Sequence, residues 1–261
     1  IIRFMDILSK LRNKSPKNLS NNKLNLVFQA IEWEGIDIDL DPDDENSDVE
    51  EYNKTYNKEF IIRVYGLTSR GSSVCTTITG FTPYFFVKLP DYWETRHVKN
   101  LISHIKFKIN RRYKETIVKY VVVRRKMFRG FTNNKMFKFL KIFFKSHEAS
   151  RKFSYLFKNK VRVYGENIKL ELYESDLEPL LRFIHINNIK PSGWIKLVKD
   201  RYRINRRYAK MSRCQLDFEV NWQFVQPVKR DSIAPLIVAS FDIEADSSHG
   251  DFPLPKKNYK K

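Results

Sequence analysis

Residues 235–244 read Pro-Leu-Ile-Val-Ala-Ser-Phe-Asp-Ile-Glu, a continuous apolar run that closes on two acids one residue apart. The run from Pro235 to Phe241 does not alternate, and that pattern predicts a strand buried on both faces. Side chains alternate across a strand, so Asp242 and Glu244 share one face, about 7 Å apart. Two carboxylates so placed can share divalent cations, and hard oxygen ligands suit Mg²⁺ or Mn²⁺ better than zinc. Two such ions can activate a water and stabilise the leaving oxygen in phosphodiester hydrolysis. The same letters also arise as an ordinary strand end with its acids in water, so the context has to decide.

The context begins with charge. The 261-residue chain carries a formal +19, with 42% hydrophobic and 14% aromatic residues. That is ample material for a packed core, and a field of this sign attracts phosphate. Between Arg96 and Lys160 there are twenty Lys or Arg against only Glu115 and Glu148, a net +18 interleaved with aromatics from Phe107 to Phe157. Cations on phosphates with rings on bases would suit a nucleic acid, while rings in the core and cations in water is the plainer alternative. The aromatics are read as mostly core. Arg124, Arg125 and Lys126, and Arg201, Arg203, Arg206 and Arg207, are the densest candidates for contact with nucleic acid. No run of about 18 apolar residues predicts a membrane span.

Upstream, Leu24–Trp33, Phe60–Leu67, Ser73–Thr79, Tyr84–Leu89, Ile117–Arg124, Leu170–Tyr173, Trp194–Val198 and Cys214–Asn221 carry strand patterns. Thr68 to Gly71 predicts the turn of a hairpin. Helical spacing marks Thr95–Lys108, His147–Leu156 and Asp176–His185, the last with Asp176 near its start, whereas Asn134–Phe144 suits helix or strand. Nine acids and no base between Asp37 and Glu51 predict a solvated loop over residues 36–51. Its alternating aspartates are not a calcium loop, because Pro42 and Asp48 stand where Gly and Glu are required. Residues 1–23 form a basic lead that starts without Met, which suggests a cut edge. Cys75 and Cys214 make neither a disulfide framework nor a zinc site and fit a reducing compartment, a single bridge between them being the alternative. The five histidines are scattered, and no nucleophilic triad or phosphate-cradling glycine loop is present.

Ser232-Ile233-Ala234-Pro235-Leu236, leading into Ala239-Ser240-Phe241-Asp242-Ile243-Glu244 and then Gly250-Asp251-Phe252-Pro253, resembles the first exonuclease motif of family B DNA polymerases of the delta type. Cys214-Gln215-Leu216 with Trp222 is similar to the segment before that motif. Val64-Tyr65-Gly66-Leu67, Val74-Cys75 and Gly80-Phe81-Thr82-Pro83-Tyr84-Phe85 resemble the family's amino-terminal strands. Arg125 to Phe131, and Leu172-Tyr173-Glu174-Ser175-Asp176 on to Trp194, resemble members from large DNA viruses. The likeness spans roughly residues 24 to 258.

The resemblance implies an α+β chain. Residues 24–235 would form a β-rich amino-terminal domain that helps contact template DNA. Residues 236–261 would open a ribonuclease-H-like 3′–5′ exonuclease domain. Asp242 would then ligate both catalytic metals and Glu244 one of them. The family's later exonuclease and polymerase motifs have no counterpart here, so the piece alone is expected to hold metal poorly and cleave little. The parent would need two Mg²⁺ (or Mn²⁺), deoxynucleoside triphosphates and primer-template DNA, with a processivity factor as a candidate partner, in the nucleus or a viral replication compartment, and not at a membrane. Two rival readings stand beside it: a stand-alone nucleic-acid-binding module, and a related carboxylate-metal exonuclease without a polymerase.

Overall fold

The computed structural model describes residues 25–40, 57–127, 130–205, 211–238 and 240. The first strands are β1 (Leu26–Asp39), β2 (Lys58–Thr68), β3 (Ser73–Thr79) and β4 (Tyr84–Lys88), followed by helix α1 (Thr95–Lys108). Next come β5 (Ile117–Lys126), β6 (Met136–Phe144), helix α2 (His147–Leu156), and the short strands β7 (Val161–Val163), β8 (Glu166–Ile168) and β9 (Leu172–Tyr173). Helix α3 (Pro179–Ile186) leads to β10 (Trp194–Leu197), β11 (Tyr202–Ile204), β12 (Leu216–Asn221) and β13 (Val225–Val228). The architecture is α+β and sheet-rich, as expected.

Seven strands form one sheet in the order β11-β12-β3-β2-β1-β10-β13. β2 and β3 are the predicted hairpin, closed by Thr68, whose N–H donates to Ser72 O and whose Oγ1 accepts from Ser72 N, both at 3.0 Å. Gly66 is required where β2 passes β1, because a Cβ there would lie 2.1 Å from the carbonyl oxygen of Gln29. β12 runs parallel to β3, and Gln215 sets that register: its Oε1 accepts from Ser73 N and its N–H donates to Ser73 Oγ, both at 2.9 Å. Phe28, Ile62, Val64, Ile78, Ile195 and Phe218 fill the core of this sheet, with Phe183 of α3 packed among them.

The second sheet has the order β5-β6-β4-β9. Its chain order, β4-α1-β5-β6-α2-β9, is a βαββαβ unit with the β7–β8 hairpin inserted before the last strand. Both helices lie on one face, where Leu101, Ile105 and Phe153 pack against Phe85, Leu140, Ile142 and Phe144. Period-2 alternation and pairing with β5 decide the segment before Phe144 as a strand.

Three expectations need correction. The acidic loop does not begin at residue 36: β1 continues to Asp39 because Ile36, Asp37, Ile38 and Asp39 find partners in Ile61, Phe60, Glu59 and Lys58. The rest of the acidic run, residues 41–51, lies outside the described residues. Helix α3 starts at Pro179 and not near Asp176, since the residue before a proline is driven out of the helical region and Glu178 takes φ −55°, ψ 130°. Finally, residues 235–238 are not a buried strand. Leu236, Ile237 and Val238 are 47%, 71% and 84% exposed, and no strand among the described residues pairs with them. An apolar run becomes strand only where neighbours take its backbone hydrogen bonds.

Candidate functional site

Asp242 and Glu244, the carboxylates singled out from the sequence, lie outside the described residues, as do Arg206 and Arg207. Among the described residues, no three His, Cys, Asp or Glu side chains converge as a metal site. The described structure does fix the approach to the acidic pair. Gln29 on β1 stands opposite Trp194 on β10, and these two neighbours hold the segment that leads to the motif. Gln29 Oε1 accepts from the N–H of Ala234 at 2.7 Å, while its Nε2 donates to Ser192 O at 3.0 Å. The Trp194 indole N–H donates to Ser232 O at 2.6 Å. Arg230 lies with its guanidinium carbon 4.1 Å from the Trp194 ring centroid and donates through Nε to Ser232 Oγ at 2.7 Å. Ala234 is thereby buried, eight residues ahead of Asp242.

The predicted basic residues are not one patch. Arg124, Arg125 and Lys126 end β5, where they pair with Lys138, Phe137 and Met136. Alternation therefore sends Arg124 and Lys126 to one face and Arg125 to the other. Lys126 Nζ donates to Asn134 Oδ1 at 3.0 Å. Arg203 belongs to the other sheet, paired with Glu219 across β11 and β12, and Arg201, just before β11, lies 5.1 Å from the Phe224 ring centroid. A carboxylate already neutralises Arg203, which weakens its case as a phosphate contact.

The aromatics of the basic stretch divide. Tyr113, Phe139, Phe144, Phe153 and Phe157 are core, as expected, but Phe107, Tyr120, Phe131 and Tyr155 are exposed, and Phe137 and Phe143 are half-buried. Outside that stretch, Trp194 is buried and Tyr65 and Tyr84 are half-buried. The sequence reading missed Lys141. Its Nζ sits 3.5 Å from the Tyr84 ring centroid, 4.7 Å from that of Phe143 and 5.5 Å from that of Phe86. Burial, with Arg182 nearby, lowers its ammonium to about 8. The alternation of rings and lysines in Met136-Phe-Lys-Phe-Leu-Lys-Ile-Phe-Phe144 is the signal that could have found it.

Residues 170–261 match the family described as DNA polymerase family B, exonuclease domain. Among similar proteins, the DNA polymerase of Phaeocystis pouchetii virus is 34% identical over 78% of this chain and 21% of its own length. The DNA polymerase of Acanthamoeba polyphaga mimivirus is 30% identical over 93% of this chain and 14% of its own length. The DNA polymerase delta catalytic subunit of Plasmodium falciparum is 29% identical over 79% of this chain and 20% of its own length. The chain thus spans about a fifth or less of these relatives. The solved family B DNA polymerase of Pyrobaculum calidifontis shares the fold, with a TM-score of 0.51, 18% identity, and coverage of 81% of this chain and 21% of that one. On these matches residues 170–261 carry the exonuclease-domain family of the family B DNA polymerases, and most of the chain is similar to viral and delta-type DNA polymerases.

Proposed function

We propose that the chain is the amino-terminal part of a replicative DNA-directed DNA polymerase, and that Asp242 and Glu244 are metal ligands of its 3′–5′ proofreading exonuclease. The observation that carries this reading is the Asp242-Ile243-Glu244 pair, which lies inside the residues that match the exonuclease domain. A ribonuclease-H-like domain would open near Leu236. The segment held by Gln29, Trp194 and Arg230 would deliver the acidic pair to it from a fixed point on the seven-stranded sheet.

The donor chemistry fits Mg²⁺ or Mn²⁺, since both groups are hard carboxylates. Two Mg²⁺ ions, when bound, would supply the charge that makes water nucleophilic and stabilises the leaving oxygen. Two carboxylates supply only part of the oxygen shell of two such ions, and water, the DNA phosphate and further groups of the parent protein would supply the rest. The piece alone would therefore cleave little or nothing.

In the parent, primer-template DNA and deoxynucleoside triphosphates would be the substrates, with a processivity factor as a possible partner. The parent would act in the nucleus or a viral replication compartment. No helix among the described residues is long and apolar enough to cross a membrane.

The test uses the full-length protein on a primer with a mismatched 3′ end. Asp242→Ala/Glu244→Ala should abolish Mg²⁺-dependent removal of the mismatch and leave extension of a matched primer intact. Cleavage that survives the double substitution would overturn the assignment.

A further inference from the structure

The four-stranded sheet has two unlike faces. One carries helices α1 and α2 and the core; the other carries no helix of the βαββαβ unit and is lined by rings and amines. Register places these groups together: Tyr84 faces Phe143, Phe86 faces Lys141, and Lys119 on the edge strand β5 also faces Phe143. Directly opposed residues project to the same side of a sheet. The rings of Tyr84 and Phe143 lie 5.3 Å apart between centroids, and those of Tyr84 and Phe86 lie 5.6 Å apart. Each is only half-buried. Lys119 Nζ stands 4.8 Å from the Phe143 centroid, so amines cover the rings where a planar group could lie.

We propose that this outer face is a stacking platform for a short stretch of single-stranded DNA, with bases on Phe86 and Phe143 and phosphates on Lys119 and Lys141. A base stacked on a ring is worth about as much as the cation–π contacts it displaces or more, and the displaced ammonium gains a phosphate oxygen. The exchange is therefore favourable. A duplex does not fit, because its bases are already stacked on one another and only unstacked ones can lie on a protein ring. Val121 and Val123 on β5 share this face with the rings, an apolar flank beside Phe86 and Phe143. Deoxyribose is the better match to such apolar neighbours. Burial leaves Lys141 with a lowered ammonium pKa and Glu174 as the carboxylate acting on it, the condition of a cation that a phosphate would stabilise. Neither Asp242, Glu244 nor a metal ion takes part, so the platform and the exonuclease reading stand or fall separately.

The experiment is fluorescence anisotropy of 5′-fluorescein dT12 with the whole chain at low salt and with EDTA present, which removes any contribution from metal-dependent cleavage. Phe86→Leu/Phe143→Leu keeps apolar volume and removes the stacking faces. It should weaken binding roughly tenfold or more, with an unchanged circular dichroism spectrum and melting temperature near that of the parent chain. Lys119→Gln/Lys141→Gln should weaken binding at least threefold more than Arg124→Gln/Lys126→Gln, which removes equal charge from the other face. Duplex DNA of the same length should bind more weakly than dT12. The proposal is overturned if the leucine variant binds dT12 within twofold of the parent chain, or if both glutamine variants weaken it equally. It is overturned as well if the duplex binds as tightly as the single strand. Binding of U12 tenfold tighter than dT12 would overturn the choice of DNA.

Discussion

Arg182 lays its guanidinium carbon 3.9 Å from the ring centroid of Tyr84 and donates through Nη1 to the carbonyl oxygen of the same residue. Arg182 sits on α3, whose neighbouring Phe183 belongs to the core of the seven-stranded sheet, and Tyr84 opens β4 of the other sheet. One side chain therefore joins the two sheets. Its Nη2 also donates to the carbonyl oxygen of Glu174 at 2.8 Å and to Glu174 Oε2 at 3.0 Å, and the residue is only 3% exposed. A planar fork suits this combination of stacking and several acceptors, and a single ammonium does not.

Arg182→Ala should accordingly cost about 2–4 kcal/mol, because it removes a buried side chain together with its stacking on Tyr84 and its hydrogen bonds to the Tyr84 and Glu174 carbonyls. Arg182→Lys should recover less than half of that loss. Urea denaturation of the three proteins checks both statements, and equal midpoints for the lysine variant and the parent chain would show that the fork is dispensable.

Such a clamp was not legible in the sequence. The sequence pattern located most of the strands of the two sheets and all three helices, since alternation and helical spacing are local signals, but it left β6 open between helix and strand. It missed β7, β8, β11 and β13, which are three or four residues long and too short to show a period. It also could not foresee that β1 runs on through Asp37, because that extension depends on a partner strand more than twenty residues away. Asp37 then accepts from the N–H groups of His147 and Glu148, both at 2.8 Å, at the start of α2. Composition read that acid as part of a solvated run. The candidate site divides in the same way. The acidic pair and the resemblance were visible in the letters, whereas the Gln29–Ala234 contact joins residues 205 apart and belongs to tertiary structure alone.

The two thiols should differ in reactivity. Cys75 is fully buried and burial pushes its thiol up to about 11, against a hydrogen bond to Ser212 that acts the other way. At pH 8 only about a thousandth of such a thiol is the nucleophilic thiolate. Cys214 is half-buried, and neither cysteine is in a disulfide. Iodoacetamide at pH 8 should label Cys214 while sparing Cys75 in the folded chain, and should label both in guanidinium chloride, as read by peptide mass spectrometry. Rapid native labelling of Cys75 would mean that the β2–β3–β12 region opens easily.

Lys141 should leave a mark on the pH dependence of stability. Its folded pKa of about 8 lies below the ordinary 10.5, so below pH 8 both states are protonated and the cost of burying the ammonium is fully present. Between about pH 8 and 10.5 the unfolded chain keeps a proton that the folded chain has lost, and stability rises with pH. Tyr113, raised to about 12, and Cys75, raised to about 11, pull in the opposite sense at alkaline pH. These opposing contributions cancel in the difference between the parent chain and Lys141→Met. That difference, measured by denaturation from pH 7 to 10, should shrink as pH rises if Met is the more stable at pH 7. A difference independent of pH would mean that Lys141 keeps an ordinary pKa.

Gln29 should govern the segment that leads to Asp242. Its Oε1 accepts the N–H of Ala234, a residue 3% exposed, so Gln29→Ala strands a buried donor. An unpaired buried donor costs about 1–3 kcal/mol, which corresponds to roughly a five- to 150-fold rise in local opening. Amide hydrogen exchange at Ala234 should speed up by about that factor. Exchange within β2 and β3 should stay unchanged, because neither strand depends on the amide side chain. Gln29→Glu provides the comparison: it keeps an oxygen that can accept from Ala234 but loses the Nε2 donor to Ser192. It should protect Ala234 far better than alanine does. Equal exchange in the parent chain and Gln29→Ala would mean that Trp194 and Arg230, through Ser232, hold the segment without help from β1.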